Sequence, residues 1–158
     1  MQGRGMQELA DMDALTLRDR LASGAFTATA VATATLQRIA ERDPAIGAWT
    51  TVDQGVVMAQ AAMLDAYRQS GRPLGPLHGV PVGIKDIIDT RDLPTENGNA
   101  LDQGRRPGDD AVLVARLRAA GALILGKTVS TECAYLAPAK TRNPHDPQRT
   151  PGGSSSGS

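Results

Sequence analysis

The sequence predicts an α/β fold, a mixed sheet covered by helices. Three observations carry that prediction. Ala122-Leu123-Ile124-Leu125 is a continuous apolar run, the pattern of a strand buried on both faces. It follows directly on a helical pattern that stops at Gly121. A second apolar, β-branched segment, Val80-Pro81-Val82-Gly83-Ile84 with Ile87-Ile88, lies upstream, so helices and strands belong to one layered structure.

Taken in order, the first third reads as helices. Thr16 is placed to cap a short helix in which Leu17 and Leu21 share a face, and Gly24 ends it. Thr27 opens a second helix, with Ala32, Leu36 and Ile39 on one apolar stripe. That helix is expected to end near Asp43-Pro44, because a residue before proline disfavours the helical region. Trp49-Thr50-Thr51-Val52 favours a short strand. A third helix covers 56–69, broken by Ser70-Gly71-Arg72-Pro73.

Lys85-Asp86 interrupts the apolar segment that runs from Val80 to Ile88. Residues 91–110 are polar and rich in glycine and proline, which reads as a long loop. Asp109 or Asp110 caps the next helix, with Leu113, Leu117 and Ala120 on one face. From Pro138 onward the chain is loop-like and closes on Gly152-Gly153-Ser154-Ser155-Ser156-Gly157-Ser158.

The 158 residues are enough to bury a core; a chain of this size removes roughly two thirds of its surface from water on folding. Lys and Arg together number 17, as do Asp and Glu, so the net charge is zero. That balance argues against a general affinity for nucleic acid or an anionic membrane. Met1-Gln2-Gly3-Arg4-Gly5 leads into a helical pattern with no apolar signal core, and no run of about 18 apolar residues is present to span a bilayer. One cysteine, Cys133, excludes an intrachain disulfide and is read as a packing residue. Together these point to a cytoplasmic protein.

Gly121 to Thr128 matches the phosphate-loop pattern G-x-x-x-x-G-K-[ST]. The order is wrong for that chemistry. A helix precedes Gly121, and the four middle residues are apolar, with amides committed to a sheet rather than free to wrap phosphate. Lys127 is therefore read as a structural residue at a strand end.

Lys85 admits two readings. It is a strand-end lysine reaching solvent, or a desolvated one. Burial disfavours an ammonium, and a neutral amine is a general base. The terminal Gly-Gly-Ser-Ser-Ser-Gly-Ser likewise reads as a flexible linker, or as a glycine turn presenting hydroxyls that relay protons.

The ordered series changes the balance. Gly79-Val80-Pro81-Val82-Gly83-Ile84-Lys85-Asp86 comes first, then the Gly121–Thr128 segment, Thr141-Arg142-Asn143-Pro144, and Thr150-Pro151-Gly152-Gly153-Ser154-Ser155-Ser156-Gly157-Ser158. This series resembles the amidase signature family over nearly the whole chain. The resemblance implies an amide hydrolase with a Ser–Ser–Lys triad. Lys85 matches the catalytic lysine, and Ser154 the bridging serine, after a cis peptide bond from Gly153. Ser155 is read as a substrate-contacting or supporting residue beside it.

In the family the nucleophilic serine and the oxyanion hole lie further along than Ser158. The resemblance therefore implies that residues 1–158 are the N-terminal part of a single, incomplete amidase-signature domain. On that reading these residues are inert alone and leave sheet edges and apolar faces uncovered.

No cofactor is implied. With no second histidine or carboxylate at ligand spacing, no metal is expected either. His78 and His145 are read as structural and surface residues. Asp86, facing away from Lys85 on a strand, is not its partner. The partner implied is a small-molecule amide, with a homo-oligomer or amidotransferase subunits left open. Three functions are kept: an amidase acting on linear amides, the amide-hydrolysing component of a tRNA-dependent amidotransferase, and a non-catalytic truncated module.

Overall fold

A computed structural model of the chain describes residues 9–158. The reading of Met1 to Gly5 lies outside the described residues. The elements are α1 (Ala14–Ser23), α2 (Ala28–Ile46), β1 (Trp49–Thr51), α3 (Gln54–Gln69), β2 (Pro81–Lys85), α4 (Val112–Ala119) and β3 (Leu123–Thr128), with 3₁₀ turns at Ala100–Asp102 and Glu132–Ala134. The chain is α/β. Its strands form one sheet in the order β1-β3-β2, so β3 is central and all six of its residues are buried. β1 runs antiparallel to β3, with Trp49 opposite Thr128, Thr51 opposite Lys127, and a register shift between the two pairs.

Two compact units are present. The first comprises residues up to Glu41, then 54–82 and 116–125. Its core gathers Leu9, Leu17, Leu21, Val31, Ala34 and Val80, with Met12, Phe26 and Leu77 packed against them. Asp65 of α3 closes the start of α2, accepting from the amides of Ala28 (2.7 Å) and Thr29 (3.0 Å) and from the Thr29 hydroxyl (2.6 Å). The second unit comprises 42–53, 83–115 and 126–158. Many of its buried residues are polar: Asp86, Thr90, Thr95, Lys127, Thr128, Ser130, Thr131, Thr141 and Ser156 are buried, as are Ile84, Leu93, Val114 and Val129.

Several boundaries differ from the sequence expectation. Asp13, not Thr16, caps α1. Its carboxylate accepts from the amides of Leu15 and Thr16, both at 3.0 Å, and Thr16 sits inside the first turn, its hydroxyl donating to the same carboxylate. Gly24 ends the helix at φ 78°, a left-handed conformation that glycine adopts without a Cβ penalty. α2 runs through Pro44 to Ile46. The ring removes one donor, but the last turn still closes through Gly47 N–H on the Asp43 carbonyl at 2.7 Å, and the Asp43 side chain accepts from the Ala48 amide.

Ile87-Ile88 does not extend β2. The chain turns there, with the Ile88 amide on the Lys85 carbonyl at 2.9 Å. In α4 the side chain that is fully buried is Val114, whereas Leu113 is exposed. Cys133 is exposed rather than packed, on a turn where it and Ala134 have positive φ.

Candidate functional site

Lys85 is the last residue of β2 and is half-buried. Its Nζ lies 2.6 Å from Ser154 Oγ. A contact of this length passes a proton in either sense: an ammonium donates to the hydroxyl oxygen, and an unprotonated amine accepts from the hydroxyl.

Ser154 is held by a docked tail, not a free linker. The Thr131 amide donates to the Ser154 carbonyl at 3.0 Å, and the Gly157 amide to the Val129 carbonyl at 3.0 Å. Ser156 is buried, and its hydroxyl returns to the Gly152 carbonyl at 3.0 Å. The Gly153–Ser154 peptide is cis. Gly157 has no room for a side chain, because a Cβ there would overlap the Ala48 carbonyl oxygen and the Val129 nitrogen. The segment leaving β3 therefore acts as the bed for the serine turn. Ser155 is exposed, and its carbonyl accepts from the Ser158 amide at 3.1 Å.

The structure also assembles a group of residues that sequence reading did not. Lys127 is fully buried in β3. Its Nζ donates to the Ile88 carbonyl and to Thr95 Oγ1, both at 2.6 Å, with Thr90 Oγ1 at 3.5 Å. Asp86 Oδ1 lies 3.9 Å away, so Asp86 faces Lys127 rather than Lys85. Burial pulls the Lys127 amine down to about 8, against the opposing charges of Asp86 and Asp89. Burial pushes the Asp86 carboxyl up, and its Oδ2 has no hydrogen-bond partner. The available signal was a lysine inside an otherwise unbroken buried strand.

The segment Leu123–Thr128 is strand throughout, which leaves no glycine loop to wrap a phosphate. His78 is buried against Tyr67, their ring centroids 6.4 Å apart. Burial first, and Arg68 second, hold it below the usual imidazole range. His145 is exposed in a turn. An open cleft of about 310 Å³ lies over Val129 and Ser130, with Glu132 and Lys140 as its charged lining. Among the described residues no group of three or more His, Cys, Asp or Glu is placed to hold a metal ion, and no helix is long and apolar enough to cross a membrane.

A family model described as Amidase matches residues 30–158. The chain is 42% identical over 159 aligned residues to a glutamyl-tRNA(Gln) amidotransferase subunit from Salinispora arenicola (strain CNS-205), an alignment covering 97% of this chain and 32% of that protein. Among solved structures it is similar to native peptide amidase from Stenotrophomonas maltophilia, with a TM-score of 0.85 and 38% identity over 94% of this chain and 33% of that one. A peptide amidase in complex with the competitive inhibitor chymostatin gives a TM-score of 0.88 and 39% identity, covering 96% of this chain and 34% of that one. The chain thus spans about a third of the length of the relatives it matches.

Proposed function

Because the chain belongs to the amidase family, we propose that residues 1–158 supply the proton-relay half of an amide-hydrolysing site, with Lys85 as general base and Ser154 as relay. The observation that carries this reading is the 2.6 Å contact between Lys85 Nζ and Ser154 Oγ. In its unprotonated form the Lys85 amine takes the Ser154 proton. Ser154 takes the proton of an attacking serine, supplied from outside these residues. That serine adds to the amide carbonyl, the C–N bond breaks, and the relayed proton leaves on the amine. Water then adds to the acyl-enzyme, passing its proton back along the same relay and releasing the acid. Ser155, exposed beside the relay, is assigned to substrate contact.

The test is a chimera in which residues 1–158 replace the matching third of the Stenotrophomonas peptide amidase. Hydrolysis of peptide amides by the chimera, lost on Lys85→Met and on Ser154→Ala, is the expected result. A chimera that keeps its turnover with Lys85→Met overturns the assignment.

A second reading is the amide-hydrolysing component of a tRNA-dependent amidotransferase, favoured by the similarity to the Salinispora amidotransferase protein. On this reading the substrate is glutamine, and the chain works with partner subunits. Ammonia release from glutamine that requires such partners separates it from a free-standing amidase.

A further inference from the structure

We infer that Lys127 is a positioning residue for Lys85, acting through Ile88 and Asp86; the inference rests on the proposed role of Lys85 as proton acceptor. Lys85 ends β2, and the chain reverses immediately after it. Two hydrogen bonds set the reversal. The Ile88 amide donates to the Lys85 carbonyl at 2.9 Å, and the Asp86 amide donates to the Thr128 carbonyl at 2.9 Å. The Ile88 carbonyl in turn accepts from Lys127 Nζ at 2.6 Å. Residue 88 therefore joins the backbone of Lys85 to the buried ammonium.

Asp86 forms the other arm. Its carbonyl accepts from the Asn97 amide at 2.9 Å, and its Oδ1 accepts from the Glu96 amide at 3.2 Å while facing Lys127 Nζ at 3.9 Å. Thr95 Oγ1 takes a further Lys127 proton at 2.6 Å. An ammonium has three donors. Two are fixed here, and Thr90 Oγ1 and Asp86 stand nearest the third. The returning segment 86–97 is thus wound on one charged group.

Within that segment Leu93 is the one fully buried apolar residue; the others buried are Asp86, Thr90 and Thr95, all facing Lys127. Burying an ammonium is costly unless its donors are taken up, and a methionine of similar length would pack in the strand without that cost. The cage therefore serves geometry at the end of β2 rather than burial. The lowered affinity of Lys127 for its proton fits a group held in place at an electrostatic cost. The charged and titratable groups that act on it are Asp86, Asp89, Asp92 and Arg105.

The chain has three lysines, Lys85, Lys127 and Lys140, so their separate reactivities are readable by peptide mapping after brief reductive methylation with formaldehyde and borohydride. Lys140 lies away from the cage, its Nζ on the Trp49 carbonyl, and serves as internal reference. In Lys127→Met and in Thr95→Val, the labelling of Lys85 relative to Lys140 is expected to change several-fold, because the amine no longer stays on Ser154. Val57→Ala, in the core of α3, is the control for general loss of stability. Where Lys127→Met does not fold, Thr95→Val decides alone. An unchanged Lys85 ratio in folded variants, or an equal change in Val57→Ala, overturns the inference. The readout needs no turnover, so an inactive chimera with a shifted Lys85 ratio sinks the amidase reading alone.

Discussion

The Thr131 amide donates to the carbonyl of Ser154 at 3.0 Å, on the same residue whose hydroxyl meets Lys85. Ser154 is thereby clamped on both sides: its backbone to the segment after β3, its side chain to the end of β2. Lys85 and Ser154 are 69 residues apart in the chain, so their contact depends on both strands being in place.

On the proposed roles, Lys85 and Ser154 act as one relay and fail together. In the peptide amidase chimera, Lys85→Met and Ser154→Ala are each expected to lower kcat on the order of a hundredfold to ten-thousandfold. The double variant is expected to be no worse than the slower single one. Steady-state kinetics on all four proteins checks this, and additive losses would mean separate roles.

Gly157 lies against the Ala48 carbonyl and the Val129 amide. Gly157→Ala must push the tail off its bed, at a cost of about 1–3 kcal/mol typical of overpacking. Urea unfolding measures the loss, and the same variant should raise Lys85 labelling, since Ser154 moves with the tail.

Asp65 satisfies two amides and a hydroxyl at the start of α2. Asp65→Ala is expected to lower stability by about 0.5–2 kcal/mol, the range for a lost helix cap. Chemical denaturation at neutral pH checks it.

Lys127 sets a pH dependence. Its folded value, about 8, is below the ordinary lysine value of 10.5. Between those values the unfolded chain binds more protons than the folded one, so the contribution of Lys127 to stability rises with pH across that window and is lowest beneath it. Wild type should therefore gain stability from about pH 8 to about pH 10 relative to Lys127→Met, as read by urea midpoints. Asp86→Asn removes the charge that holds the ammonium up, and the Lys127 titration, followed by carbon NMR of its Cε, should move lower still. A titration that moves upward contradicts the pairing.

The alternation of helix and strand, the buried run at Ala122–Leu125 and the break at Gly24 were all readable from residue order, because hydrophobic period and glycine geometry are local properties. Helix limits were less so. Thr16 is a good cap by type, but Asp13 stands one turn earlier with a carboxylate that reaches two amides. Pro44 does not stop α2, because the Asp43 carbonyl and side chain close the final turn around it. The exposure of Cys133 follows from the left-handed turn after Thr131, which residue type does not encode.

The ordered motifs pointed to Lys85 and Ser154 only through their resemblance to the amidase signature family, whereas the apolar residues 122–125 were enough to set aside the phosphate-loop pattern. Tertiary structure alone decided that the serine-rich tail is docked and that Asp86 turns to Lys127. Those outcomes depend on how residues distant in sequence pack and pair, and on which ammonium is left without water. A linear pattern carries neither quantity.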